Sequence, residues 1–243
     1  MGVAATLYDF AAVRLNLDVE LRYRAVRRVI KPLVAAERSI LEIGAGKVSI
    51  GRYLGRETIA VDSSFDLRSN LEAKRVVASA CSLPFSDRTW DVVCSVDMLE
   101  HIPPAYRVEA IGEMVRVSKA LIALALPVGS DAFREDIWTH RYYLRQHGEP
   151  HRFAKEHVEF GLPQKDQIIA AIKDAAERTG RKVSIRAVPN LNVLFRRLYM
   201  RLAFHGSVLF RIAYVALFPL AWLGRLLDHG SCYRQIFVVQ FDE

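Results

Sequence analysis

Short apolar runs recur through the first half of the chain, each followed by a stretch of helical spacing: Ser39 to Ile43, Thr58 to Val61, Arg75 to Ser79, Trp90 to Val96 and Ala120 to Leu126. Strands that alternate with helices predict a mostly parallel sheet with helices packed on its faces. Ahead of the first run, Val19 to Ala36 predicts a basic helix. Its Leu21, Ala25, Val29 and Leu33 recur on one face, and Arg22, Arg24, Arg27, Arg28 and Lys31 fall between them as a solvated charged face.

The pattern breaks after Pro127. Residues 128–163 are polar and rich in rings, with Trp138, His140, Tyr142, Tyr143, His147, His151 and His157, and predict a lid or acceptor-binding insertion over the strand ends. A helix from Gln164 to Arg178, stopped by Gly180, leads to a strand at Lys182 to Val188. The last strand, Arg234 to Phe241, lies beyond an apolar detour over residues 191–230. The expectation is one α/β domain over residues 1–243 carrying two insertions.

Composition changes this picture little. With 51% apolar and 25% charged residues the chain has ordinary globular usage, which excludes a disordered protein. A net charge of +7 favours an anionic partner but does not choose among nucleic acid, membrane and a phosphorylated substrate. Cys81, Cys94 and Cys232 are odd in number and lack metal-ligand spacing, so they read as buried thiols of a reducing compartment. The first residues carry no secretory pattern, and a cytoplasmic location is expected. Met1-Gly2-Val3-Ala4-Ala5-Thr6 fits the loose myristoylation pattern, a string short enough to recur by chance.

The candidate chemistry starts at Ser39-Ile40-Leu41-Glu42-Ile43-Gly44-Ala45-Gly46, a buried strand entering a glycine turn and then a helix from near Val48. Glycines let a ligand approach the backbone, and the helix N-terminus offers free N–H groups. A dinucleotide fingerprint fails, because Ser49 stands where its third glycine belongs. Asp62, at the end of Ile59-Ala60-Val61-Asp62, is placed to accept both ribose hydroxyls of an adenosine-containing ligand. Glu42 would repel a pyrophosphate and suits a ligand with an ammonium and a sulfonium, which points to S-adenosylmethionine (SAM).

Together with Ser82-Leu83-Pro84-Phe85-Ser86-Asp87, Trp90-Asp91-Val92-Val93 and Asp97-Met98-Leu99-Glu100-His101-Ile102, this series resembles class I SAM-dependent methyltransferases, nearest to small-molecule enzymes of the ubiquinone-biosynthesis type, over roughly residues 19–127. The resemblance implies a Rossmann-like seven-stranded sheet whose last strand is antiparallel. It also implies a cofactor site in which Gly44, Ala45 and Gly46 line the methionine moiety. Glu42 would sit near its amino group, Asp62 and Ser63 at the ribose, Ala80 and Cys81 at the adenine, and Val96 at the end of the fourth strand. Val48 replaces a frequent third glycine, and Ser79 replaces a frequent acid facing adenine.

Methylation of a hydroxyl calls for a base, and His101, at the expected pocket edge, is the candidate; otherwise it pins the loop. The remaining histidines lack metal-ligand spacing, so no metal is expected. Lys155-Glu156-His157 before Phe160-Gly161-Leu162-Pro163 resembles, more loosely, methyltransferases of polysaccharide and glycolipid gene sets.

Residues 191–230 are apolar and basic at once, with Arg196, Arg197, Arg201, Arg211 and Arg225 against the single acid Asp228. The longest uncharged run, Ile212 to Gly224, is too short for an ordinary membrane span. Leu191, Leu194, Phe195, Leu198 and Leu202 share a helix face, with arginines at other angles to meet lipid phosphates, so the segment reads as an interfacial anchor; a hairpin packed on the protein is its alternative. The function expected is O-methylation of a membrane-associated acceptor such as a glycolipid or lipid-linked sugar, by an enzyme peripheral to an anionic membrane surface. The alternatives are a quinone-precursor methyltransferase and a non-catalytic relative that binds a membrane or partner. Nucleic acid is not an expected partner, because no Asn-Pro-Pro-Tyr-like motif follows the fourth strand.

Overall fold

The computed structural model describes residues 16–65 and 73–242. The myristoylation pattern at Gly2 lies outside them. Seven strands form one sheet: β1 (Ile40–Ile43), β2 (Ile59–Asp62), β3 (Lys74–Val77), β4 (Trp90–Val96), β5 (Ser118–Pro127), β6 (Val183–Asn192) and β7 (Cys232–Phe241). Their order is β3-β2-β1-β4-β5-β7-β6, with β7 antiparallel to both neighbours and the other six parallel. This is the Rossmann-like arrangement expected from the sequence.

Alternate residues of the central strands face opposite sides of the sheet. Leu41, Ile43, Val93 and Leu124 pack with helices α3 (Arg107–Val117) and α6 (Lys165–Arg178). Ile40, Val92, Cys94 and Ala123 pack with α1 (Leu17–Ile30) and the start of α2 (Ile50–Leu54). Asn16 caps α1 through Oδ1, which accepts from the Val19 N–H at 3.2 Å. A 3-10 turn over Lys31–Leu33, with Pro32 at its start, ends the segment before the Ala36 expected from spacing.

Two expectations need correction. The arginines of α1 are not a solvated face. Arg22 pairs with Asp97 at 3.2 Å, Arg24 with Glu20 at 2.6 Å and Arg28 with Asp228, while Arg27 donates to the Tyr53 carbonyl at 2.7 Å. Residues 128–163, expected as a lid or acceptor insertion, are built mainly of two helices, α4 (Gly129–His147) and α5 (Arg152–Phe160). Strand β6 runs on to Asn192, because its pairing with β7 continues to the register Asn192↔Cys232.

The detour therefore leaves one strand and returns on its neighbour. It holds α7 (Val193–Phe204), α8 (Val208–Ala216) and a 3-10 stretch, Phe218–Leu227. Among the described residues no single helix is long and apolar enough to cross a membrane, although α8 and the 3-10 stretch, bent by 56°, together reach that length and composition. The expected lipid-facing stripe is only partly present. Leu191 is buried, and Arg196 and Arg197 are bound to Asp136 and Glu135 of α4, since α7 packs against α4. The exposed apolar side chains are Leu194, Leu198, Val208, Leu209, Ile212, Val215, Trp222, Leu223 and Leu226.

Candidate active site

Because β1 to β5 are parallel, their C-terminal ends share one edge, and the strand order reverses between β1 and β4. Ligands of such sheets bind in that crevice. The Gly44 N–H donates to the Val61 carbonyl at 2.7 Å and the Gly46 N–H to Asp62 Oδ2 at 3.0 Å, so the glycine turn and the tip of β2 are built against each other. The Asp62 carbonyl accepts from the Ala78 N–H at 3.0 Å, which brings in the end of β3.

Both glycines have positive φ, +78° at Gly44 and +56° at Gly46. A Cβ on Gly44 would lie 2.1 Å from the Met98 side chain, whereas one on Gly46 would meet nothing within 4 Å. The first glycine is needed for packing and the second leaves an open cradle. Gly44→Ala is expected to cost roughly 1–3 kcal/mol through clash and backbone strain. Thermal melts with and without S-adenosylhomocysteine check this: the melting temperature falls and the ligand-induced rise shrinks.

Glu42 is fully buried, and its carboxylate accepts from Tyr23 Oη at 3.0 Å, Ser49 Oγ at 2.7 Å and the Ile50 N–H at 2.7 Å. Burial pushes its pKa up to about 7 against these three bonds. It acts on the site by fixing the turn and the start of α2, not as a free carboxylate. The Tyr23 hydroxyl also lies 2.7 Å from the Val48 carbonyl, a backbone contact that ties this turn to α1 whatever side chain stands at 48.

Ala45 and Val96 are buried, Ser63 is exposed, and Ala80 and Cys81 lie partly exposed on the turn after β3. Ser79 shapes that turn, its Oγ accepting from the Cys81 N–H at 3.1 Å and its carbonyl from the Ser82 N–H at 3.1 Å. Among the cysteines only Cys94 is fully buried, and all three are free thiols.

Sequence reasoning missed an ion network at the end of β4. Asp97 sits in the left-handed region at φ 49°, and its N–H donates to the Ala125 carbonyl at 2.9 Å. Arg234 Nε donates to both its oxygens, at 2.7 and 2.8 Å, and Arg234 Nη2 reaches Asp18 at 3.1 Å. Tyr199 of α7 donates to the same Asp18 at 2.7 Å. Burial favours the neutral acids, but Arg234 and Arg22 outweigh it and hold Asp18 and Asp97 below the usual carboxylate range.

Beside this network lies a second one. His101, on the turn Leu99–His101, meets Glu156 through Nδ1 at 2.9 Å and His157 through Nε2 at 3.4 Å. His157 Nδ1 meets Asp136 at 2.8 Å, and Asp136 also accepts from Arg196 at 2.8 Å and Tyr233 at 2.7 Å. Burial and the neighbouring His157 push His101 down to about 4, and Glu156 only partly opposes them. Titration near neutrality, expected from its type, is not what its surroundings give. Burial lowers His157 too, but its bond to Asp136 more than compensates and its pKa is raised.

Residues 41–121, from β1 into β5, match the family described as a methyltransferase domain. Over those residues the chain carries a methyltransferase domain. Solved structures share the fold. A protein of Anabaena variabilis assigned to antibiotic biosynthesis as a methyltransferase is 19% identical with a TM-score of 0.57, covering 91% of this chain and 99% of its own. A SAM-dependent methyltransferase of Thermotoga maritima is 13% identical with a TM-score of 0.54, covering 98% and 96%. One of Archaeoglobus fulgidus is 17% identical with a TM-score of 0.51, covering 91% and 93%. No curated protein matches the chain.

The methyltransferase edge fits its cofactor. The space over Gly46 is open, and the Asp62 carboxylate lies beside it at the strand tip, where a ribose can be held. When bound, SAM supplies a methyl group on a sulfonium, and what remains for the protein is to orient an acceptor and manage its proton.

Proposed function

We propose that the methyltransferase acts on a hydroxyl of a lipid-linked acceptor, such as a glycolipid or lipid-linked sugar, while resting on an anionic membrane surface. The observation that carries this reading is the exposure of Leu209 (71%), Ile212 (61%), Trp222 (61%) and Leu226 (67%) on one insertion. Large apolar side chains exposed in this way favour an apolar surface over water, by roughly 1.5–3 kcal/mol for each one fully buried. Arg201 and Arg225 are exposed on the same insertion and supply charge for lipid phosphate.

The insertion is also bonded to the two networks beside the end of β4, which supports this reading. Arg196 of α7 binds Asp136, the partner of His157, and Tyr199 binds Asp18 of the Asp97 network. We assign handling of the acceptor hydroxyl to the cluster around His101. Nucleic acid is not proposed as acceptor.

Vesicle flotation tests the surface. The protein is expected to float with anionic vesicles and not with neutral ones, and Leu209→Ser combined with Trp222→Ser to weaken binding by roughly a hundredfold. Methyl label from SAM should enter the organic extract of membranes. Equal flotation of the double variant, or label confined to water-soluble products, would overturn the reading.

A further inference from the structure

We propose that His101 Nε2, His157 Nε2 and the Glu100 carboxylate hold a divalent cation of the zinc type. The two imidazoles face each other at 3.4 Å between Nε2 atoms, long for a hydrogen bond. Two nitrogens bound tetrahedrally to zinc at about 2.0–2.1 Å stand roughly 3.4 Å apart. The separation is thus that of two ligands sharing one ion.

The third ligand is Glu100. It is fully buried, and neither carboxylate oxygen has a hydrogen-bond partner. An unpaired carboxylate in such a place is costly. Its Oε1 is 4.0 Å from His157 Nε2, and the three ligand atoms lie within 4.8 Å of one another. Closing Glu100 onto an ion asks for a movement of the order of an ångström.

The surroundings orient the ligands as metal sites do. A histidine that binds metal through one nitrogen usually donates the other N–H to a carboxylate or carbonyl. Here Glu156 holds Nδ1 of His101 and Asp136 holds Nδ1 of His157, which leaves both Nε2 lone pairs for a common ion. Asp136 is itself fixed by Arg196 and Tyr233, and Glu156 by Arg152 at 3.0 Å. Arg107 ties the Glu100 carbonyl at 3.2 Å to the Gly161 carbonyl at 2.8 Å, clamping the ligand-bearing turn to the end of α5.

Two histidines and one carboxylate leave a position open on a tetrahedral ion. An acceptor hydroxyl reaching it would have its pKa lowered. This use of the ion rests on the hydroxyl-acceptor reading above; the binding of the ion does not. Metal-ligand spacing was absent from the sequence because the ligands come from β4's following turn and from α5, more than fifty residues apart.

The test uses chelator-treated full-length protein. Zinc added to wild type is expected to bind at one equivalent in calorimetry and to raise the melting temperature, and cobalt to give the visible absorption of a tetrahedral site. His157→Ala and His101→Ala should each weaken zinc binding at least tenfold while S-adenosylhomocysteine still binds, which shows that they fold. If the variants do not fold, the wild-type cobalt spectrum decides. No cobalt band and no zinc-induced stabilisation in wild type would overturn the proposal, as would undiminished zinc binding in folded variants. Ion binding without methylation of lipid sinks only the acceptor reading; methylation of lipid without ion binding sinks only this one.

Discussion

Asp62→Ala is expected to weaken S-adenosylhomocysteine binding roughly a hundredfold while leaving the melting temperature of the free protein within a few degrees. The carboxylate has one firm internal bond, from the Gly46 N–H at 3.0 Å, and longer ones from Ser63 Oγ at 3.4 Å and the Ser64 N–H at 3.3 Å. It remains partly exposed at the strand tip, so acceptor capacity is left for a ligand. Two ribose hydroxyls donating to a carboxylate are charge-assisted bonds worth about 1.5–3 kcal/mol each, discounted for competition with water. Calorimetric titration of both proteins reads the difference. Equal affinity would remove Asp62 from the cofactor site.

The second large effect concerns stability. Arg234→Met keeps the bulk of the side chain but strips the half-buried Asp97 and Asp18 of the counter-charge of a buried arginine. Breaking such a pair from one side costs roughly 3–5 kcal/mol, and in a chain of this size the melting temperature should drop by roughly 10 °C. The pH dependence carries a sign. In the wild type both acids are held below their usual range, so their contribution is present above about pH 4 and is lost as the pH falls further. In the variant, burial acts on the same acids with Arg22, and at Asp18 also Tyr199 and Arg196, left to offset it, and their pKa values rise. The gap between the two melting curves should therefore narrow on acidification from pH 7 towards pH 5. A gap that widens would show that the arginine does not hold these acids ionised.

The strands of the cofactor half were legible because short apolar runs bounded by glycine, proline and polar residues have few other readings. Trp90 to Val96 is a strand to the residue, and Gln164 caps the helix that was expected to begin there. The charged interior was not legible. Arg234 and Arg196 are 2% and 4% exposed, yet a lone arginine in a sequence is read as facing solvent. Their partners lie far off in the chain: Asp97 is 137 residues from Arg234, and Asp136 is 60 from Arg196. No local period encodes such pairs. Glu42 shows the same limit at short range. Its place beside the glycine turn could be read, but Tyr23, which closes it off, comes from a helix 19 residues earlier. For the histidines, sequence supplied the right segment without the pairing, since His101 and His157 meet only once α5 folds back over the turn after β4.

Asn192 and Cys232 pair directly across β6 and β7, so to the sheet everything between them is one oversized hairpin connection. Doubling such a connection adds only about 0.6 kcal/mol of closure entropy, and no strand register depends on its length. The part of this protein that differs most freely among kin should be this excursion, with the sheet edge that holds the cofactor left untouched. Only helices that keep the bonds of Arg196 to α4 and Tyr199 to α1 would inherit its link to the catalytic edge. If the apolar surface docks as proposed, a graft that preserved those two residues and exchanged the exposed apolar ones would redirect the protein to a different surface while leaving the sheet edge unchanged.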